Sequence, residues 1–205
     1  DWDPEGTLPV ITLSFMPISH VMGRMILYST LGVGGTAYFA ARSDLSTLLD
    51  DFALVRPTKL ELVPRIWEML FQEVQSEVDH RWIEGDRETI EQQVMAEQRE
   101  KLIGGRQFLA MTGSAPISPE LRSWVAEFLD IPLTELYGST EDGIILVDSH
   151  IKRPPVTDYK LTDVSDLGYF ATDRPHPRGE LLVKSPDLIP GYYKRPDVTA
   201  ELFDA

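Results

Sequence analysis

The sequence predicts an α/β fold: a mainly parallel sheet flanked by helices, followed by a small, mostly antiparallel β unit. Three observations carry this. Short apolar runs alternate with helical patterns through about residue 150, the order that builds strand–helix–strand units with a parallel sheet between helices. After that point Pro and Gly become frequent, and two strand patterns follow with no helix between them, which points to antiparallel pairing. The chain has 205 residues, 42% of them hydrophobic and 25% charged, so it can bury a sizeable core. The change of pattern suggests two parts, 1–150 and 151–205.

The elements follow in order. Residues 10–16 (Val-Ile-Thr-Leu-Ser-Phe-Met) form a strand pattern ended by Pro17. Val21 to Leu31 is mostly apolar after Ser19 and His20 and suits a buried helix. Gly34-Gly35 breaks it, and Thr36 to Ala40 is a second strand pattern. Ser43 or Asp44 can cap a helix from Leu45 to Val55, stopped by Pro57. Lys59 to Val63 is a third strand. Pro64 then sits at the first position of a helix with Ile66, Trp67, Leu70, Phe71 and Val74 at helical spacing. Asp86 to Ile103 predicts a charged helix ended by Gly104-Gly105. Gln107 to Thr112 is a fourth strand, Ser118 caps a helix to about Leu129, and Leu133 to Tyr137 is a fifth strand. Tyr159 to Val164 and Glu180 to Lys184 are the strands of the second part.

Composition excludes several functions. The net charge of −14 repels phosphate backbones, so nucleic acid is not an expected partner. Without cysteine, disulfides, thiolate catalysis and Cys-ligated zinc are ruled out. The apolar runs are too short for a membrane span, and the start carries no signal pattern. A cytoplasmic setting and a monomer are expected.

Four segments can carry chemistry. In Leu136-Tyr137-Gly138-Ser139-Thr140-Glu141, a glycine and two hydroxyls follow a strand, where open α/β sheets bind ligands. Hydroxyls can bond phosphate oxygens, the carboxylate can hold Mg²⁺, and the ring can stack on a base. A solvated strand-to-turn junction fits the same residues. In Met111-Thr112-Gly113-Ser114-Ala115-Pro116, small residues let another molecule approach the backbone, and a tight turn is the alternative. In Phe15 to Arg24, His20 stands at a helix start, where a structural role competes with a functional one. Arg178 to Lys184, leading to Pro190-Gly191-Tyr192-Tyr193-Lys194-Arg195-Pro196 and Thr199, has no catalytic signature of its own.

Together and in this order, the four segments resemble the adenylate-forming superfamily of acyl-CoA ligases, peptide-synthetase adenylation domains and luciferases. Residues 10–205 fit it. The phrases Pro17 to Arg24, Arg153 to Leu161 and Asp173 to Leu181 are similar to the adenylation domains of carboxylic acid reductases. The resemblance implies that a carboxylic or fatty acid attacks the α-phosphate of ATP, giving acyl-AMP and pyrophosphate. Coenzyme A or a carrier phosphopantetheine then takes the acyl group. In the reductases, NADPH serves a separate domain. By position, Tyr137 would stack on adenine, within a Gly138-Ser139 turn at the nucleotide. Thr140 would bond a phosphate, and Glu141 would hold Mg²⁺. Gly113, Ser114 and Ala115 would wall the site, and His20 would line the acyl pocket near the reacting carboxylate.

The chain also departs from the pattern. No Ser/Thr/Gly-rich phosphate loop precedes His20, and the chain stops before the expected Thr-Gly-Asp motif. A central slice is therefore expected, inactive in adenylation when isolated, with N- and C-terminal parts of the same enzyme and a carrier domain as partners. A non-catalytic acyl-binding module is the alternative. Leu136 and Asp142 stand where the family more often has small residues. Asp142 could strengthen Mg²⁺ binding or face solvent.

Overall fold

The computed structural model describes residues 9–83 and 86–203. They form two compact units that divide between Glu135 and Leu136.

In the first unit, β1 (Ile11–Ser14) leads through α1 (Val21–Gly32) to β2 (Thr36–Phe39). The two strands pair in parallel, Ile11 opposite Thr36. α1 crosses over between them, and a Cβ at Gly23 would run into the carbonyls of Pro17 and Met16. The helix is tied to β1 by buried hydroxyls. Thr30 donates to the Ile26 carbonyl at 2.7 Å, which leaves its oxygen to accept from Thr12 at 3.1 Å.

α2 (Leu48–Val55) follows, then β3 (Lys59–Leu62) and α3 (Pro64–Arg81). The expected helix start at Leu45 is corrected. The Asp44 carboxylate accepts the N–H and hydroxyl of Ser46 instead, and Leu45 takes φ +58°. This local turn competes with helix formation, so the helix begins three residues later. β1 and β2 form a sheet of their own. Fully buried Thr58 connects it to the start of β3: its hydroxyl accepts from Ile11 N–H at 2.9 Å and donates to the Pro9 carbonyl at 2.7 Å.

α3 carries Trp67, Leu70, Val74 and Val78 at intervals of three and four, all fully buried. That stripe is the centre of the core. α4 (Arg87–Gln98) is capped by Asp86, whose carboxylate accepts from the Glu88 N–H and the Thr89 hydroxyl. The single helix expected to Ile103 ends at Gln98 in a wider turn over Arg99–Ile103. Gly104 closes that turn at φ +87°, where a Cβ would strike the Arg56 side chain. β4 (Leu109–Gly113) pairs in parallel with β3. α5 (Pro119–Leu129) is capped by the Ser118 hydroxyl. Its Trp124 and Phe128 stack at 4.9 Å, and Phe71 meets Trp124 edge-on at 5.0 Å.

β5 (Leu133–Ser139) begins in the first unit and ends in the second. There it pairs antiparallel with β6 (Gly143–Val147), which turns back through Asp148-Ser149 into β7 (His150–Ile151). β8 (Asp158–Thr162) and β9 (Glu180–Lys184) pair antiparallel, and α6 (Pro196–Leu202) follows. The antiparallel pair expected after residue 150 is present as β8 and β9; the β6–β7 hairpin, at residues 143–151, precedes that stretch and has no counterpart in the sequence pattern. No described helix is long and apolar enough to cross a membrane.

Candidate active site

The turn from β5 into β6 carries Tyr137 to Asp142. Gly138 is required by close approach, because a Cβ there would collide with the Gly143 carbonyl on the paired strand. A bulge between Tyr137 and Gly138 shifts the register. Bulges re-aim side chains at such places. Tyr137 is half exposed, and Thr140 is exposed. The Ser139 hydroxyl accepts the Asp142 N–H at 3.1 Å and closes the turn.

Glu141 is fixed from two sides. The Tyr192 phenol donates to its Oε1 at 2.7 Å, and the Ile189 N–H donates to its carbonyl at 2.9 Å. The Tyr192 hydrogen bond holds the Glu141 carboxyl below the usual glutamate range, outweighing the upward push of partial burial. The same bond, with burial and the nearby negative charge, pushes the Tyr192 phenol up. Glu141 is therefore a carboxylate at neutral pH.

Asp142 is 4% exposed, and neither of its carboxylate oxygens has a hydrogen-bond partner among the described residues. It does not face solvent. A buried carboxylate without a donor is costly, so its oxygens suit a cation or a donor group. Tyr137, Ser139, Glu141 and Asp142 line one cleft of about 610 Å³ in this unit, together with Tyr159 and Leu182 of the β8–β9 pair.

Among the described residues, no group of three or more His, Asp or Glu is arranged to hold a metal ion. The donors that are present suit Mg²⁺, which binds through one or two carboxylates and completes its shell with substrate phosphates and water.

The remaining sequence-predicted residues belong to the first unit. Gly113 ends β4 and is buried, and Ser114 follows at φ +68°, exposed like Ala115. This left-handed turn presents backbone at the end of a parallel strand. Just before it, Thr112 is buried with an unpartnered hydroxyl. His20 caps α1. Its Nδ1 accepts the Met22 N–H at 3.1 Å, and the ring is exposed. The structural role considered for this histidine is thus real, and it leaves the other ring nitrogen available.

The structure gives a role to one residue that had none in the sequence, Tyr192, and decides between the two alternatives for Asp142. Tyr192 was visible only as part of the Pro190 to Pro196 segment. Asp142 was visible as a neighbour of Glu141, but its burial was not.

The strand-ending turn thus carries an aromatic face, two hydroxyls and a tyrosine-held carboxylate on an α/β scaffold, groups whose chemistry suits phosphate and a divalent cation. The AMP-binding enzyme family matches residues 5–193, and the chain belongs to that family. It is 64% identical to the carboxylic acid reductase of Mycobacterium marinum over all of its own length and 18% of that relative's. Two solved structures from Segniliparus rugosus are also similar. One is the adenylation domain of carboxylic acid reductase in complex with AMP and a co-purified carboxylic acid: 51% identity, TM-score 0.88, covering 100% of this chain and 32% of that one. The other is its didomain with the carrier in complex with AMP: 52% identity, TM-score 0.87, covering 96% and 27%.

Proposed function

We propose that this chain is the central part of an acid-activating adenylation module of the carboxylic acid reductase type. A carboxylate oxygen attacks the α-phosphorus of ATP. The bond to the β,γ-diphosphate breaks, and acyl-AMP and pyrophosphate result. A thiol then displaces AMP. The carrier in the Segniliparus didomain favours a phosphopantetheine thiol over coenzyme A. NADPH would act in a separate reductase domain.

The observation that carries this reading is Glu141, an ionised carboxylate held by the Tyr192 phenol in the lining of a cleft it shares with Tyr137 and Ser139. Nucleotidyl transfer relies on positioning and charge stabilisation more than on acid–base help. In this reading Tyr137 stacks on adenine, with Gly138 and Ser139 setting the turn against the nucleotide. The Thr140 hydroxyl bonds a phosphate oxygen. Glu141 holds Mg²⁺, whose contribution when bound is to neutralise phosphate charge. Of the first unit, the Gly113-Ser114-Ala115 backbone is read as a nucleotide-binding surface, and His20 as an acyl-pocket residue. The acid bound to the Segniliparus domain supports a carboxylic acid as substrate.

The test is the thermal shift of this chain with a non-hydrolysable acyl-adenylate analogue plus Mg²⁺, beside a fatty acid alone. A ligand at 100 times its dissociation constant adds about 2.7 kcal/mol, a shift of a few degrees. The expected result is a shift with the analogue, lost in Glu141→Ala and Tyr137→Ala. A shift with the acid alone, or none, would leave the reading without support.

A further inference from the structure

We propose that Tyr192 is a positioning residue for the Glu141 carboxylate, and that Thr199 holds Tyr192 in place for that task. The inference rests on the cation-binding role of Glu141 proposed above and deepens it. It names the residue that decides how the carboxylate is presented.

The geometry forms a short chain of contacts. The Tyr192 phenol donates to Glu141 Oε1 at 2.7 Å across 51 residues of sequence. Tyr192 is itself anchored: its N–H donates to the Thr199 hydroxyl at 2.9 Å, and that hydroxyl donates to the Arg195 carbonyl at 2.8 Å. The Thr199 N–H also reaches the Arg195 carbonyl, at 3.0 Å. Gly191, at φ +144°, lies so close to Thr199 that a Cβ would meet the threonine side chain. The segment thus wraps tightly on the first turn of α6. A second bond, Ile189 N–H to the Glu141 carbonyl at 2.9 Å, ties the same segment to the backbone of the turn. Backbone and side chain of Glu141 are therefore both held by residues 189–192.

A glutamate in a turn has freely rotating side-chain bonds, and fixing them before the ligand arrives removes that entropy cost from binding. With Oε1 engaged by a phenol, the carboxylate plane is set. Partners that orient a metal-binding carboxylate in this way typically change metal affinity 10- to 100-fold when removed. Tyr193, next in sequence, is 87% exposed, with Lys194 Nζ over its ring. It serves as an internal control.

The experiment measures Mn²⁺ affinity of the chain by electron paramagnetic resonance, with and without the non-hydrolysable nucleotide α,β-methylene-ATP. The variants are Tyr192→Phe, Tyr193→Phe, Thr199→Val, Thr199→Ser and Glu141→Ala. Nucleotide affinity without metal is measured beside it, because a merely structural loss would lower both. Tyr192→Phe is expected to weaken Mn²⁺ binding in the ternary complex by about 10-fold and to leave metal-free nucleotide binding unchanged. Thr199→Val should move the same way by less, Thr199→Ser should restore it, and Tyr193→Phe should do nothing. If Glu141→Ala abolishes Mn²⁺ binding while Tyr192→Phe and Thr199→Val keep it in full, the positioning role is overturned and the Glu141 reading stands. If Glu141→Ala has no effect, or the unaltered chain binds no Mn²⁺ with the nucleotide, both fall together.

Discussion

The two units are held together by different means. In the first, most of the buried apolar side chains form one cluster running from Leu13 through Trp67, Val94 and Phe128 to Leu133. In the second, Ile145 and Val156 are the buried apolar side chains among the described residues, and the largest apolar groups, Tyr159, Leu167 and Tyr193 among them, stay exposed. That unit relies on strand pairing and on hydrogen bonds from polar side chains, such as Tyr192 to Glu141 and Arg178 to Asp173. Packed apolar cores resist change at every methylene, whereas polar tethers can be cut singly. Stability thus resides mainly in the first unit, and ligand-shaping contacts can be altered in the second at little cost to the fold.

Two substitutions of aromatic residues would break this contrast most directly. Trp67→Ala removes a fully buried side chain and is expected to cost about 3–5 kcal/mol, read as a fall in the denaturant midpoint. Tyr137→Ala, half exposed, should change stability by no more than about 0.5 kcal/mol while removing the analogue's thermal shift. Equal losses of stability from the two would show that both units depend on packed cores. Next in size, Glu141→Ala should cancel the stabilisation by analogue and Mg²⁺, about 2.7 kcal/mol near saturation, without moving the melting point of the ligand-free chain to a similar degree. A ligand shift that survives in Glu141→Ala would place metal binding elsewhere.

Much of this arrangement was legible because its signals are local. The α3 stripe at Trp67, Leu70 and Val74, the Pro64 and Pro119 helix starts and the Glu180–Lys184 strand all lie where periodicity and capping chemistry put them. The start of α2 was misread because Asp44 has two uses, helix cap or Asx turn, and nothing nearby decides between them. The β6–β7 hairpin escaped because its two-residue turn is Asp148-Ser149, both at positive φ, with none of the Asn-Gly chemistry that marks such turns. The Tyr137–Glu141 turn stood out as a motif. The Tyr192 contact did not, because a bond across 51 residues leaves no periodic trace. Burial of Asp142 is likewise a property of the packed cleft rather than of its neighbours in sequence.

Smaller effects sharpen the same contrast. The Ser118 hydroxyl accepts the Leu121 N–H at 3.2 Å and caps α5, whose Trp124 and Phe128 are in the core. Ser118→Ala is expected to cost about 1 kcal/mol, independent of pH across the carboxylate range. A loss below about 0.3 kcal/mol by denaturant unfolding would mean that packing alone sets this helix.

The smallest effect belongs to Asp173 in the second unit and should depend on pH. Its Oδ2 accepts from the Phe170 N–H at 3.1 Å and from Arg178 Nε at 2.9 Å. The Phe170 hydrogen bond, then the Arg178 guanidinium, hold this carboxyl below its ordinary value of 3.8 against the opposing effect of burial. With the folded value below the unfolded one, the unfolded chain binds more protons in the interval between them. Stability from this group is therefore present above the unfolded value and lost as pH falls through the folded one. The side chain is solvent-accessible, so the contribution is modest and weakens with salt. Asp173→Asn should lower the melting point slightly at pH 7, and the gap from the unaltered chain should hold to about pH 5 and close below the ordinary aspartate range. Thermal melts from pH 7 to pH 2 at low salt would measure it. A gap that persists at the acid end would show that the loop is held by the acceptor oxygen of the side chain rather than by its charge, because asparagine keeps the shape of aspartate but can place an amide nitrogen where Oδ2 accepts two bonds.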